Sequence, residues 1–242
     1  MARIELRDCT ILIKDGTSGT GAVNQMGLMS GDTDLDIQTV VLNTLVTDQV
    51  PVGARFTIAG ESGTPIHTVT ARTPGSGTTT NVAFTPALAS SVSDDSVITF
   101  LNQQIEVKIG EGNLTYTENK EYEYLTDKGN LDTVREGNEV PMDVVMDFVY
   151  EFVRTGTSEL ITPVDALKGI GGAAEWVSSS TDPCEPYSVD IAVIHEPPCG
   201  DAETETTTFP MFRHDSLEFD LSAATISSTG RCNATEPTIE RS

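Results

Sequence analysis

Along residues 142–153 the chain alternates: Met142, Val144, Met146, Phe148, Tyr150 and Phe152 occupy every second position, and Asp143, Val145, Asp147, Val149, Glu151 and Val153 fall between them. Wound at about 100° per residue, the six large side chains would scatter around a helix. An extended chain puts them all on one face. The pattern predicts a strand whose first set faces a core and whose second set carries carboxylates and valines.

The same period recurs elsewhere. RIELRDCTILIK, residues 3–14, reads as an opening strand ended by Asp15-Gly16. Residues 17–36, TSGTGAVNQMGLMSGDTDLD, are rich in glycine and polar residues without a sustained period and predict a long loop or arm. Between 37 and 101 the pieces TVVLNTLV, ARFTIAG, IHTVTAR, TTNVAFTPAL and DSVITFL are separated by turn chemistry and predict a small inserted β domain. Residues 104–140 give one alternating strand, a Gly-Glu-Gly kink and then a charged ribbon, 111–140, with few apolar anchors. Tyr116, Tyr122, Tyr124, Leu131 and Arg135 stand out in it as candidate contacts with a neighbouring subunit. The last third offers three further strands, in PYSVDIAVIHE, TETTTFPMFRHDSLEFD and ATISSTGRCNATEPTIER, with prolines 183, 186, 197, 198 and 210 expected at their edges.

One helix is legible, in TPVDALKG. Thr162 suits the N-cap and Pro163 the first helical position, Asp165 suits the positive end, and Gly169 supplies a left-handed stop. The glycines of the following GIGGAAEWV trail a helix end, where a dinucleotide-binding turn must follow a strand, so a tight turn before a strand containing Trp176 is expected. The expected class is mainly β: two packed sheets of sandwich or barrel character, one short helix and an inserted β domain. The expected division is 1–36 with 102–242 as one domain and 37–101 as the insertion.

Charge narrows the function. With 37 acidic and 14 basic residues in 242, the formal net charge is -23. Holding nucleic acid by counterion release requires clustered Lys and Arg, so a conventional nucleic-acid binder is excluded. Such a surface serves either plain solubility or proximity to a polyanion without adhesion. The N-terminal stretch carries charges where a secretory signal needs an apolar core, and no window suits a membrane span, which predicts a cytoplasmic setting with reduced cysteines. Cys184, Cys199, Cys232, His195 and His214 lack the CxxC or HxxxH spacing of a zinc site. No GxSxG, HExxH or Walker sequence accompanies His67, His195 and His214. The expectation is a protein without catalytic residues, metal or cofactor.

The order of features then becomes informative. VREGNEVP leading into the alternating strand, DPCEPYSVDI, and the closing GRCNATEPT resemble the tail tube (major tail) proteins of long-tailed bacteriophages, over residues 102–242 and more loosely over 1–16. The resemblance implies a β-rich subunit that forms hexameric rings stacked into a hollow tube, with inner sheets joined across subunits and extended loops bridging rings. It implies partners of the tail: tape measure, terminator, and baseplate or tip proteins. It also implies assembly in the host cytoplasm, residence in the virion tail, and DNA passing down the bore at infection. Asp143, Asp147 and Glu151 are then candidate lumen-facing acids, repelling phosphates where basic residues would trap them. An equal alternative packs that face under the ribbon or the insertion. Residues 37–101 depart from the minimal family pattern and are expected on the tube exterior. Rival readings are a surface-adhesion or receptor-binding β protein, and a tail-terminator or completion protein of the same fold.

Overall fold

The computed structural model describes residues 8–42, 45–47, 50–74, 79–110, 112–128, 130–154, 160–182, 184–196 and 204–241. Residues 3–7 of the expected first strand, and Cys199, lie outside them. The fold is mainly β with one short helix. The chain divides into two compact units, one of residues 1–13, 106–151 and 189–242, the other of 14–105 and 152–188.

After β1 (Cys9–Lys14) come β2 (Gly19–Val23), β3 (Asp34–Leu42), β4 (Leu45–Thr47), β5 (Arg55–Ile58), β6 (His67–Pro74), β7 (Thr79–Thr85) and β8 (Val97–Leu101). The order β2-β8-β5-β6-β7-β3, returned to its start by β2–β3 pairing, makes a closed six-stranded barrel, with β4 hydrogen-bonded to β3 outside the ring. Every second residue of β7 is buried, as a barrel wall requires. The interior is filled by Ile37, Phe56, Val69, Val82, Phe84 and Phe100, all at most 2% exposed. Segment 17–36, expected as an arm, is therefore wall: Gly19–Val23 closes the ring between β3 and β8. Its glycines hid it, because GTGAV gains its place from two neighbouring ladders and not from its own propensity.

The same unit holds β14 (Val153–Arg154), β15 (Leu160–Ile161) and α1 (Pro163–Lys168). The helix starts and stops on the expected residues. Thr162 Oγ1 accepts from the Asp165 N–H at 3.1 Å, Asp165 Oδ2 accepts from the Thr162 N–H at 2.9 Å, and Gly169 closes the helix at φ 62°. A helix of this length depends on such caps. Thr162→Ala should lower the unfolding free energy of this unit by about 1 kcal/mol, read by urea titration, and no change would mean that tertiary packing alone sets the helix start. Tyr187 closes the other side, its hydroxyl donating to the Ala166 carbonyl at 3.0 Å, and burial pushes its pKa up. Trp176 is buried in irregular chain after a 3-10 turn at Gly171–Ala173, so the strand expected around it does not form.

Asp15 ties this unit together. Its carboxylate accepts from the backbone N–H groups of Thr17, Gln103 and Val177 at 3.0, 2.7 and 3.2 Å and from the Thr17 hydroxyl. Its own N–H donates to the Gln103 carbonyl at 2.9 Å, and its carbonyl accepts from Asn102 Nδ2. The chain thus enters and leaves the barrel at one point, and residue 177 is fastened to the same point. Gly16 fits there only without a side chain, since a Cβ would lie 2.0 Å from the Ser178 carbonyl oxygen. Arg72 and Glu175, 3.0 Å apart, make a second tie, with Glu175 also accepting from the Val52 N–H. These long-range links place 152–188 with the barrel, where the sequence led us to expect it with the rest of 102–242.

The other unit is a sheet in the order β10-β13-β18-β17-β16-β1-β9, built from β9 (Gln104–Val107), β10 (Leu114–Thr117), β13 (Met142–Val149), β16 (Val189–His195), β17 (Glu205–Asp220) and β18 (Thr225–Cys232). Its remaining strands are the β11 (Lys120–Asp127) and β12 (Asn130–Glu139) hairpin, and β19 (Thr238–Arg241) beside β17. Pro210, expected at a strand edge, lies inside β17 at a bulge opposite the Val189/Ile191 register shift. There Met211 takes φ 50° and its N–H donates to the Asp190 carboxylate at 2.8 Å, replacing the ladder partner that the bulge removes.

Candidate assembly surfaces

The alternation that predicts β13 continues in the sequence past the end of the strand. Met142, Val144, Met146 and Phe148 are fully buried, and the strand ends at Val149, paired with Thr225. Tyr150 and Phe152, expected on the same core face, are 38% and 69% exposed. Both lie past the end of the strand, where the Tyr150 N–H donates to the Ala224 carbonyl at 2.8 Å and its ring meets that of Phe219 edge to face.

The opposite face of β13 can be read across the sheet, because directly paired residues share a face. Asp143 pairs with Arg231, Val145 with Thr229, Asp147 with Ser227 and Val149 with Thr225, and β17 continues these rows with Arg213, Ser216, Glu218 and Asp220. The surface is mostly hydroxyls and carboxylates, with two arginines at one end. The three candidate acids differ in surroundings. Asp143 accepts from Arg231 Nε at 3.1 Å and from Asn119 Nδ2 at 3.1 Å, and Glu151 lies 3.0 Å from Lys108 Nζ. Asp147 carries no ion pair among the described residues.

The ribbon expected over 111–140 is resolved by the structure into two parts. Leu114–Thr117 is β10, a sheet strand paired with β13, and the Tyr116 ring lies 5.1 Å from that of Phe209. Tyr116 therefore sits on the sheet. Tyr122, Tyr124, Leu131 and Arg135 lie on the β11–β12 hairpin, where every described residue except Leu125 is exposed. Tyr122 pairs with Glu136 and Tyr124 with Val134, which puts two tyrosines and a valine on one face. The base is moored by Lys120 to Glu236 at 3.4 Å and by Asn119 to Asp143, while Asn138 donates to Glu121 across the hairpin itself. A two-stranded hairpin with both faces wet is marginal by itself in water, so this one depends on the ties at its base.

In the barrel, His67 and Glu61 form a buried pair. His67 Nδ1 lies 2.7 Å from the Pro86 carbonyl oxygen, His67 Nε2 lies 2.7 Å from Glu61 Oε2, and Glu61 Oε1 accepts from the Ala89 N–H at 2.7 Å. The Pro86 carbonyl can only accept, so Nδ1 carries a proton and a further proton is shared between Nε2 and the carboxyl. Both side chains are fully shielded and the imidazole packs beside Phe56 and Phe84. Their work is to pin the 86–90 segment. Periodicity could not reveal a partnership formed across the 59–66 loop.

Loops 24–33, 59–66 and 86–96 share the barrel end opposite Asp15, and they expose Met26, Met29 and Ile66. No group of His, Cys, Asp and Glu among the described residues is arranged to hold a metal. Burial pushes the Cys232 thiol up to about 12, which keeps it protonated at neutral pH. No helix among the described residues is long and apolar enough to cross a membrane. Comparison with protein-family models, with curated proteins and with solved structures finds no match.

Proposed function

We propose that this protein is a tail tube subunit of a long-tailed bacteriophage, polymerising as stacked hexameric rings into a conduit for the genome. The observation that carries the reading is the β11–β12 hairpin, moored at its base and exposed on both faces, which gains its stability by lying against a neighbouring copy. Two further features support it. The hydroxyl- and carboxylate-bearing face of β13, β17 and β18 offers DNA little to grip, in keeping with a net charge of -23. The closed barrel leaves sheet pairing between copies to the other unit. In this reading the barrel decorates the tube exterior, because a domain of that size facing inward in every subunit would obstruct the bore.

A second reading, surface adhesion, draws on the barrel end that exposes Met26, Met29 and Ile66. A stable monomer or trimer that binds cells without forming tubes would favour it, and single rings that do not extend would favour a tail terminator. The deciding experiment is negative-stain electron microscopy of the purified chain at rising concentration. Long tubes of uniform width are expected, and a variant with residues 120–139 cut to a short turn should stay folded by circular dichroism yet form none. Particles that remain monomeric at all concentrations would end the proposal.

A further inference from the structure

The β11–β12 hairpin continues the two strands that carry it, but no ladder runs through the junction. Below it β10 and β13 pair as far as Thr117 and Asp143, and above it the first rung joins Lys120 to Glu139. Between these rungs two residues on each side, 118–119 and 140–141, are irregular chain, and Pro141 has no N–H to give to a rung. Both strands are interrupted at one level, which is the geometry of a hinge. Asn119, which donates to Asp143, belongs to the hinge itself. From the hairpin proper, the one hydrogen bond or ion pair to the sheet among the described residues is Lys120 to Glu236, 3.4 Å apart. Glu236 is fixed on the sheet side: it sits in the turn between β18 and β19, where the Ala234 carbonyl accepts from the Met142 N–H at 2.9 Å. Its hydrogen bond raises the pKa of the Lys120 ammonium. Lys120, Tyr122 and Tyr124 alternate along β11 and share a face, so this tie turns the tyrosine face towards the β18–β19 turn. An open groove of about 290 Å³ separates the two, lined on the hairpin side by residues that include Tyr122 and Glu136 and on the other by Thr235 and Glu236.

We propose that the hairpin is a hinged arm with two positions, latched towards the β18–β19 turn by the Lys120–Glu236 pair and free to pivot about 118–119 and 140–141 when that pair opens. Latched, it holds the tyrosine face over the groove, and released, it turns that face outward. Two features make the latch reversible. Both partners are exposed, Lys120 by 51% and Glu236 by 64% of their side chains, so salt screens the pair. Glu139, opposite Lys120 in the hairpin ladder, is a second partner that travels with the arm. Once the ammonium turns to Glu139, Glu136 and Glu236 face one another across the groove with like charge, which favours the open position. The arm moves within a single chain, whether or not tubes form. In a tube, its release makes the tyrosine face available to a neighbour.

The test is a distance within one chain. Steps of about 3.3 Å along β12 place Thr133 about 20 Å from the hinge, so a pivot of about 30° moves it by about 10 Å. Nitroxides attached at Thr133→Cys and Thr229→Cys, both exposed positions, report that movement by pulsed electron resonance in the full chain. Cys9, Cys184 and Cys199 are changed to serine, the buried Cys232 is kept, and unlabelled chain is added in excess so that only distances within one copy are read. At about 0.01 M salt the parent should give one narrow distance. At about 1 M, where the screening length falls to about 3 Å, a population displaced by about 10 Å should hold at least half of the molecules. Lys120→Ala should show the displaced population already at low salt, and Lys120→Glu combined with Glu236→Lys should restore the narrow one. A single narrow distance that neither salt nor Lys120→Ala alters would overturn the hinge and leave the tube reading standing. A broad distribution in the parent at low salt, or a charge exchange that restores nothing, would overturn the latch.

Discussion

Glu61→Ala should destabilise the barrel unit by about 3–5 kcal/mol, the cost of removing one partner from a buried ionisable pair. The substitution removes the partner of His67 Nε2, whose side chain has no solvent exposure, and the acceptor of the part-buried Ala89 N–H. Glu61→Gln provides the contrast. Its amide oxygen can accept from Ala89, and its NH2 can donate to a neutral His67 that keeps its Nδ1 proton on Pro86. Every hydrogen bond is retained, so the loss should be under about 1 kcal/mol. The single tryptophan, Trp176, lies in this unit and gives a fluorescence readout for urea unfolding. Equal losses for Ala and Gln would show that charge, and not the satisfaction of hydrogen-bonding groups, holds the pair.

The second large effect is expected at Asp15. Asp15→Ala strips the acceptor from three backbone N–H groups, each worth about 1–3 kcal/mol when left buried and unpaired, so a loss of about 3–6 kcal/mol is expected in the same assay. Asp15 also predicts a pH dependence. Burial lifts its pKa to about 6 against the opposing pull of its four donors, from a reference of 3.8. Between those two values the folded chain binds more protons at this site than the unfolded chain does. This residue's contribution to stability is therefore greatest below about pH 4 and declines as pH rises towards about 6, by about 3 kcal/mol for a shift of this size. Asp15→Asn, which cannot titrate, should flatten that part of the stability profile. A slope unchanged in Asp15→Asn would mean that another group titrates there.

Local signals carried much of the fold. Thr162, Pro163, Asp165 and Gly169 specify the helix because each acts on a backbone group one turn away. The alternation of β13 is visible because one face is buried along its whole length. What sequence could not show is where a ladder stops. Tyr150 keeps the period of Phe148 and its N–H still bonds to Ala224, but it lies beyond the end of the strand and its side chain is part-exposed. Gly19–Val23 was illegible for the opposite reason, since its strand is imposed by β3 and β8. The domain boundary was missed because Asp15, Val177, Arg72 and Glu175 are brought together only by the fold. Of the exposed apolar residues, those of the hairpin were legible in its lack of apolar anchors. Phe219 and Leu221 were not, because an apolar residue near a strand end looks the same in sequence whether it is covered or bare.

The adjoining ends of the barrel have one more consequence. The backbone on either side of it meets at residues 15 and 103, 2.9 Å apart from amide nitrogen to carbonyl oxygen, the spacing of an ordinary reverse turn. A segment carried on such a neck leaves its two flanking strands in one sheet, β1 beside β9, so that the strand pairing around the junction is the pairing a plain turn would give.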